Sequence, residues 1–275
     1  MSRTSANYRQ IFSWNKISGY DSRKIIGEIA GGIKVTEYSI PSNGAPGGEN
    51  SQNTKILFFS DLHYDSSLFE NGTSDSINAL EPDFIVFGGD LITFSCHYPS
   101  AIKFMQSLKA KIAKISVLGN WDYRKNRKII HFNQFAHDYS NAGFKLLSND
   151  ILHFANISFT DPAYILKAGN DSIIDTEHSF TIVVSHIADR ILDRLPEDIL
   201  PYAQLILSGH THGGQIRLPF FGALKTSSKY WKFFEYGHYF NKKYGTSMIV
   251  TSGIGTNWIP IRCFCDPEVV MINIT

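Results

Sequence analysis

The sequence predicts a mixed α and β protein (α/β or α+β) in which two sheets pack together and helices lie outside them. Five short apolar runs, ending in glycine, serine or histidine, are typical of strands that are buried on both faces. These runs are KILFFS (55–60), FIVFGG (84–89), KISVLG (114–119), TIVVSH (181–186) and QLILSGH (204–210). Apolar residues at helical spacing occur between them, for example in residues 98–112, where Pro99 suits a first helical turn.

Other segments extend the predicted sheets. Three later segments are predicted to be strands that follow one another without helices: 151–160, 245–253 and 268–274. Upstream, IKVTEYSI (33–40) alternates as a strand does, and a polar, glycine-rich loop covers residues 42–53. We therefore expect residues 1–54 to form an N-terminal extension with a first strand and loop, and residues 55–275 to form a single domain.

The composition limits the classes of function. Of the 275 residues, 43% are hydrophobic and 13% are aromatic, which is ample for a buried core. The formal net charge of +1 argues against a dedicated nucleic-acid binder, which usually carries a clear basic excess. The three cysteines do not resemble a disulfide framework, so we expect free thiols. No run of about 18 apolar residues and no signal-peptide pattern is seen.

Chemically active side chains end or follow the five apolar runs. They are Asp61, His63, Asp90, Asn120, His186, His210 and His212. Polar groups beyond the carboxyl ends of strands converge in α/β architectures, so these side chains are expected to meet. Two carboxylates, one amide and four imidazoles exceed what one ion usually binds, which predicts two ions about 3.5–4 Å apart. The mixed oxygen and nitrogen donors favour Mn, Fe, Zn, Co or Ni over Mg or Ca.

The spacing of the candidate ligands supports this interpretation. Asp61 and His63 are two residues apart, as are His210 and His212, so on an extended backbone each pair points to one side. Each of these residues, taken alone, could have a structural role instead of binding metal. Asp90 could cap a helix, and an asparagine or histidine could hold a turn or lie in the core. Five such pieces in this order favour the metal site.

The motifs DLH, GGD, GNWD, SH and GHTHGGQ together resemble those of the calcineurin-like metallophosphoesterases, over residues 55–275. GHTHGGQIRLP (209–219) and residues 252–274 resemble the bacterial YaeI/YkuE-type branch. The resemblance implies a four-layer αββα sandwich and two metal ions. One ion would be bound by Asp61, His63, Asp90 and His212, and the other by Asp90, Asn120, His186 and His210. A water or hydroxide between them would attack phosphorus.

This family usually has a histidine where Trp121 stands, and Trp121 cannot deliver a proton near neutral pH. Three interpretations remain. The leaving group is already good, as in the pyrophosphate cleaved by the UDP-2,3-diacylglucosamine pyrophosphatases of lipid A synthesis. Another side chain is the acid, with His97, His131, His137 and His238 as candidates. Alternatively, turnover is slow. The resemblance also suggests that Asp122 orients a metal-binding imidazole.

The predicted function is hydrolysis of a phosphodiester or pyrophosphate bond in a phosphorylated small molecule or lipid. Candidate catalytic residues are Asp90, Asn120, Trp121 and His210, and candidate substrate-binding residues are Trp121, Arg217 and Lys225. Arg262 is expected to pair with a structural acid. A general phosphodiesterase and a non-catalytic scaffold are the alternatives. We expect a cytoplasmic protein or one peripheral to the inner membrane.

The aromatic and lysine-rich segment 220–244 has two interpretations. It is either a surface loop and hairpin, or a wall that contacts a lipid, a sugar or an anionic membrane surface. The segment from Tyr8 to Trp14 has a similar composition and is expected beside it.

Overall fold

A computed structural model describes residues 13–17, 24–42, 53–65, 69, 72–124, 132–168, 180–194, 200–257 and 259–275. Two seven-stranded sheets form most of it. In spatial order, the first sheet contains β2 (Lys24–Ile29), β3 (Ile33–Ile40), β16 (Glu268–Ile274), β4 (Thr54–Phe59), β5 (Phe84–Phe87), β6 (Ala113–Ser116) and β7 (Phe144–Leu146). The second contains β1 (Trp14–Lys16), β14 (Gly237–Asn241), β15 (Thr246–Val250), β11 (Leu205–Ser208), β10 (Phe180–Val184), β9 (Ile157–Thr160) and β8 (Ile151–Phe154).

The remaining elements are short. A hairpin pairs β12 (Arg217–Leu218) with β13 (Gly222–Ala223). The α-helices are Thr73–Asn78, Tyr98–Ser107, Asn120–Arg124, Phe132–Asn141, Pro162–Ala168 and Ala188–Arg194. Short 3₁₀ helices cover Ser95–His97, Leu200–Tyr202 and His212–Gly214. In the described part of the chain, no helix combines the length and the apolar character that crossing a bilayer requires.

Three buried apolar clusters show the layers of the fold. The cluster between the sheets includes Phe58 of the first sheet and Leu207 of the second. Another joins the outer face of the first sheet to two helices through Phe104 and Tyr139. A third packs Ile191 of helix Ala188–Arg194 against the outer face of the second sheet. Each sheet is thus covered by the other sheet on one face and by helices on the other, which gives the predicted αββα arrangement.

Parallel pairing brings the strand ends to one place. In the first sheet β4 runs parallel to β5 and β5 parallel to β6, and in the second sheet β10 runs parallel to β9 and β11. Five of these strands, β4, β5, β6, β10 and β11, correspond to the five apolar runs, all of which are confirmed as strands. Their carboxyl ends lie along one edge of each sheet, so the loops that follow them can form a shared crevice.

Some predicted elements differ in the structure. Residues 151–160 form the β8–β9 hairpin rather than one strand, because the chain reverses at Ala155, whose φ is 47°. The helix predicted over residues 98–112 ends at Ser107, since Leu108 turns to an extended ψ of 138°. Segment 220–244, predicted as a loop and hairpin, also contains β14.

The N-terminal segment takes part in both sheets. β1 pairs with β14, and β2 and β3 continue the first sheet beyond β16. The predicted strand at residues 33–40 has the observed bounds. The segment before residue 54 therefore contributes three strands to the two sheets, and the division at residue 54 stays a prediction.

Candidate metal centre

All seven side chains predicted to bind metal lie together beyond the carboxyl edges of the sheets. Six of them form two groups, and within each group the donor atoms lie within 4.8 Å of one another. One group is Asp61, His63 and His212, and the other is Asp90, His186 and His210. Asn120 joins the second group, because its Oδ1 atom lies 3.1 Å from Nε2 of His186.

Asp90 stands between the two groups. Its Oδ2 atom lies 3.2 Å from Nε2 of His186 and 3.7 Å from Nε2 of His63. Asp61 contacts both groups as well, since its Oδ1 atom lies 3.3 Å from Nε2 of His212 and 4.0 Å from Nε2 of His186. Asp90 lies where the resemblance places the bridging carboxylate, and its bridging role stays a prediction.

The extended backbone predicted for the two ligand pairs is wrong. Asp61 and His63 have φ values of 52° and 37°, and those of His210 and His212 are 73° and 51°. Asp90, at 61°, shares this left-handed region, which costs a non-glycine residue about 1–3 kcal/mol. The paired side chains converge because the chain coils tightly at the strand ends, rather than because they alternate along a strand.

Backbone hydrogen bonds between neighbouring loops hold these strained conformations. The Asp61 N–H donates to the Gly89 carbonyl at 2.9 Å, and the His63 N–H donates to the Asp90 carbonyl at 3.0 Å. On the other side, the His210 N–H donates to Oδ2 of Asp61 at 2.8 Å. The loops after β4, β5 and β11 are therefore fastened to one another.

The remaining contacts turn each donor atom towards the centre. Nδ1 of His186 lies 2.8 Å from the Gly88 carbonyl, and Nδ1 of His63 lies 2.9 Å from Oγ1 of Thr93. Each Nε2 is thereby directed inward. Oδ1 of Asp61 and Nε2 of His63 are buried without a hydrogen-bond partner. Such atoms are costly to bury unpaired, so a cation fits the donor set.

The electrostatics also favour a cation. Burial by itself raises the pKa of the Asp61 and Asp90 carboxyls, but the surrounding imidazoles outweigh it and hold both pKa values low. Burial lowers the pKa of His212 to about 3, which leaves this imidazole neutral and able to coordinate. His186 is different, since the two carboxylates overcome burial and raise its pKa to about 9. Metal binding would displace that proton.

Two glycines let the loops approach the carboxylates. A Cβ atom on Gly119 would lie 2.0 Å from Oδ1 of Asp90, and one on Gly209 would lie 2.3 Å from Oδ2 of Asp61. Both separations are far shorter than a van der Waals contact. The two glycines are visible in the sequence motifs GN and GH, but their close approach to the carboxylates of Asp90 and Asp61 is shown only by the structure.

Asp122 does not orient an imidazole, contrary to the sequence prediction. Its carboxylate accepts hydrogen bonds from the backbone N–H groups of Asp90 (2.8 Å), Leu91 (3.1 Å) and Gly119 (2.8 Å). Asp122 is buried and close to Asp90, and these three donors stabilise it there. It fixes the loops after β5 and β6 to each other.

Trp121 forms one side of the centre. It is buried, and its indole meets the His63 ring edge-on with centroids 5.5 Å apart. Its backbone N–H donates to Oδ1 of Asp90 at 2.8 Å, leaving Oδ2 facing the histidines. The backbone of Trp121 thus positions the shared carboxylate while its ring covers His63.

The other histidines considered as general acids make contacts outside the two donor groups. Nδ1 of His97 lies 2.7 Å from the Tyr64 carbonyl, and His137 is exposed on helix Phe132–Asn141. His238 is buried on β14, with Nε2 at 3.1 Å from Oγ of Ser247. His131 lies outside the described residues. None of the three described histidines belongs to either donor group.

The basic residues predicted to bind substrate are arranged differently. Arg217 pairs with Glu235 at 2.8 Å and donates to the Gly213 carbonyl at 2.8 Å, so its guanidinium is engaged within the protein. Lys225 is exposed. No acid among the described residues pairs with Arg262, whose Nη2 atom donates to the carbonyls of Ser252 and Gly255 at 2.8 and 2.6 Å.

Residues 54–214, more than half of the chain, match the family model of the calcineurin-like phosphoesterases, and the chain belongs to that family. It is a metal-dependent hydrolase of phosphoric esters. The chain is 29% identical to the metallophosphoesterase YkuE of Bacillus subtilis over 257 residues, covering 88% of this chain and 85% of YkuE. A metallophosphoesterase of Aquifex aeolicus is 26% identical over 264 residues, covering 88% and 92%.

The phosphodiesterase YaeI of Escherichia coli is 25% identical over 243 residues, which cover 82% of this chain and 84% of YaeI. Similarity to both YkuE and YaeI confirms the branch that the sequence motifs predicted.

Proposed function

We propose that the protein hydrolyses phosphodiester or pyrophosphate bonds with two divalent metal ions, Mn²⁺ being the first choice. The observation that carries this proposal is the position of Asp90 between two donor groups. The two groups and Asn120 hold enough donors for two ions, with Asp90 shared between them. The relative YaeI, named a phosphodiesterase, supports the diester class.

Bound ions would lower the pKa of a coordinated water and neutralise charge on the phosphate. The chain itself performs the remaining tasks. The buried carboxylates and histidines hold the donors in place, and Trp121 excludes water from one side of His63. His210 is half-buried and meets the His186 ring edge-on, at the more open side of the centre.

A cleft beside His186 suits an organic group attached to the phosphate. It encloses about 200 Å³, and its lining combines apolar side chains such as Leu147 and Leu166 with polar ones that include Asp161. Tyr123 and Arg190 add polar atoms at its wall. A diester or pyrophosphate can place one of its two substituents there, and a monoester can place its single one, so the cleft supports an organic phosphate and the substrate comparison below separates the classes. A lipid- or nucleotide-linked substrate fits this requirement and is our proposed class.

The direct test compares three substrates with the Mn²⁺-loaded protein. These are bis-p-nitrophenyl phosphate, p-nitrophenyl phosphate and UDP-2,3-diacylglucosamine. We expect the diester to be cleaved at least about tenfold faster than the monoester, and a chelator to abolish the activity. Activity on the monoester alone would contradict the proposed substrate class. Full metal binding without any hydrolysis would favour the scaffold alternative.

Trp121 provides a second prediction, because no ionisable group stands at its position. In Trp121→His we expect kcat/KM to rise at least about tenfold for diesters with poor leaving groups, within the range of general acid catalysis. Diesters with good leaving groups should gain much less, since they need no proton. A series of phosphodiesters with graded leaving groups measures the difference.

Trp121→Phe is the matched control, since it also replaces the indole with a smaller ring but adds no acid. The interpretation of Trp121 fails if Trp121→His changes good and poor leaving groups equally.

A further inference from the structure

An unusually apolar surface lies on two loops next to the metal centre. We define it by six exposed side chains: Phe220, Phe221, Trp231, Ile259, Ile261 and Phe264. Phe220 is 111% exposed relative to a reference chain, and Phe264 is 71% exposed. Isolated exposed apolar residues are common, but a cluster of this kind marks an interaction site.

Backbone contacts make the two loops one surface. The Arg217 N–H donates to the Cys263 carbonyl at 2.9 Å, and the Cys263 N–H donates to the Gln215 carbonyl at 3.0 Å. The side chain of Gln215 also donates to the carbonyls of Ile259 and Ile261, at 2.6 and 3.0 Å. Since Gln215 follows the histidines of the GHTHGGQ motif, the surface is tied to the loop that carries His212.

Three of the aromatic residues are held outward by unfavourable backbone. Phe220, Trp231 and Phe264 have φ values of 64°, 55° and 49°, in a region that bulky residues rarely occupy. The conformation exposes the three rings instead of burying them. Strain of this kind persists at sites where a partner is bound.

Two basic side chains carry the positive charge of these loops. Arg217 pairs with Glu235, Lys229 pairs with Asp193 and Arg262 donates to backbone carbonyls, which leaves Lys225 and Lys232 among the described residues. Lys232 lies over the Phe221 ring at 3.2 Å and donates to the Phe221 carbonyl at 2.7 Å. Lys225 is exposed beside these side chains. The surface is therefore complementary to negative charge.

We propose that this apolar surface docks on an anionic lipid bilayer. Protruding aromatic and aliphatic tips among lysines are the composition with which monotopic proteins enter the interfacial region. A bilayer accommodates separate protruding rings, whereas a folded protein partner needs a surface of complementary shape. Docking would bring the loop of His212 close to lipid phosphates. Only hydrolysis of those phosphates rests on the proposed hydrolase function; the docking itself does not.

The test is co-sedimentation with vesicles of phosphatidylcholine, with and without phosphatidylglycerol. The protein is expected to bind the phosphatidylglycerol vesicles, and less so as salt is raised. Phe220→Ser and Phe264→Ser should each reduce the partition coefficient by about tenfold. Ile112→Ser is the matched control, because Ile112 is 58% exposed but precedes β6, at the end of the strand remote from the centre.

Two further measurements separate this proposal from the hydrolase function. Both phenylalanine variants should cleave soluble bis-p-nitrophenyl phosphate at the rate of the unmodified protein. Binding of Asp90→Asn to vesicles should be unchanged, so loss of hydrolysis would leave docking intact. Failure to bind the anionic vesicles, or equal binding by Phe220→Ser, would overturn the proposal. So would a dimer that dissociates in the phenylalanine variants, which would identify a second copy as the occupant.

Discussion

Asp90→Asn is expected to lose most of the bound metal and to lower kcat/KM by at least about 10²–10³-fold. The physical reason is the position of Oδ2, which lies within 3.7 Å of histidines from both donor groups. An amide is neutral and has only one acceptor oxygen, so it cannot serve two cations as a carboxylate can. Metal content by elemental analysis and hydrolysis of bis-p-nitrophenyl phosphate measure the two effects.

The control is Asp75→Asn, which removes an equal charge from an exposed position on helix Thr73–Asn78. It should retain both metal and activity. If Asp90→Asn kept the metal content of the unmodified protein, the shared position assigned to Asp90 would be incorrect. Loss of one ion with retention of the other would show that Asp90 belongs to a single group.

Gly119→Ala should be nearly as damaging, although it removes no ligand. The added methyl group would lie 2.0 Å from Oδ1 and 2.5 Å from the backbone nitrogen of Asp90. Neither atom can move freely, since Oδ1 accepts the Trp121 N–H and the nitrogen donates to Asp122. Overpacking typically costs about 1–3 kcal/mol, and here the shift would also displace Asp90. Urea unfolding and metal titration measure the two consequences.

Gly27→Ala is the matched control, because a Cβ atom there meets no atom within 4 Å. It should change the free energy of unfolding by less than about 1 kcal/mol and leave metal affinity unchanged. Metal affinity in Gly119→Ala equal to that of Gly27→Ala would refute the close approach of the two loops.

The strands could be predicted because their signal is local. A buried parallel strand such as β4 or β11 needs a short apolar run, and the run itself is visible in the chain. The β8–β9 hairpin was missed because Ala155 and Asn156 are not a typical glycine turn, and the apolar pattern continues across them.

The sequence was enough to predict which residues gather at the candidate site, but not which contacts hold them in position. The order of motifs identified Asp61, His63 and the other donors, and the chemistry of the side chains suggested a cation. The interpretation of Asp122 failed because its partners are backbone N–H groups, which every residue has and no sequence pattern marks. The engagement of Arg217 by Glu235 depends on the path of segment 216–235, which the composition does not specify.

The origin of the donors in two different sheets links metal binding to folding. Asp61 and Asp90 follow strands of the first sheet, whereas His186 and His210 follow strands of the second. Ions bound by donors from both sheets would hold the two sheets together, in addition to the apolar cluster between them. Because such ions bind only the native arrangement, each increment of free metal shifts the folding equilibrium by mass action. Metal supply would then govern the abundance of the folded protein as well as its turnover.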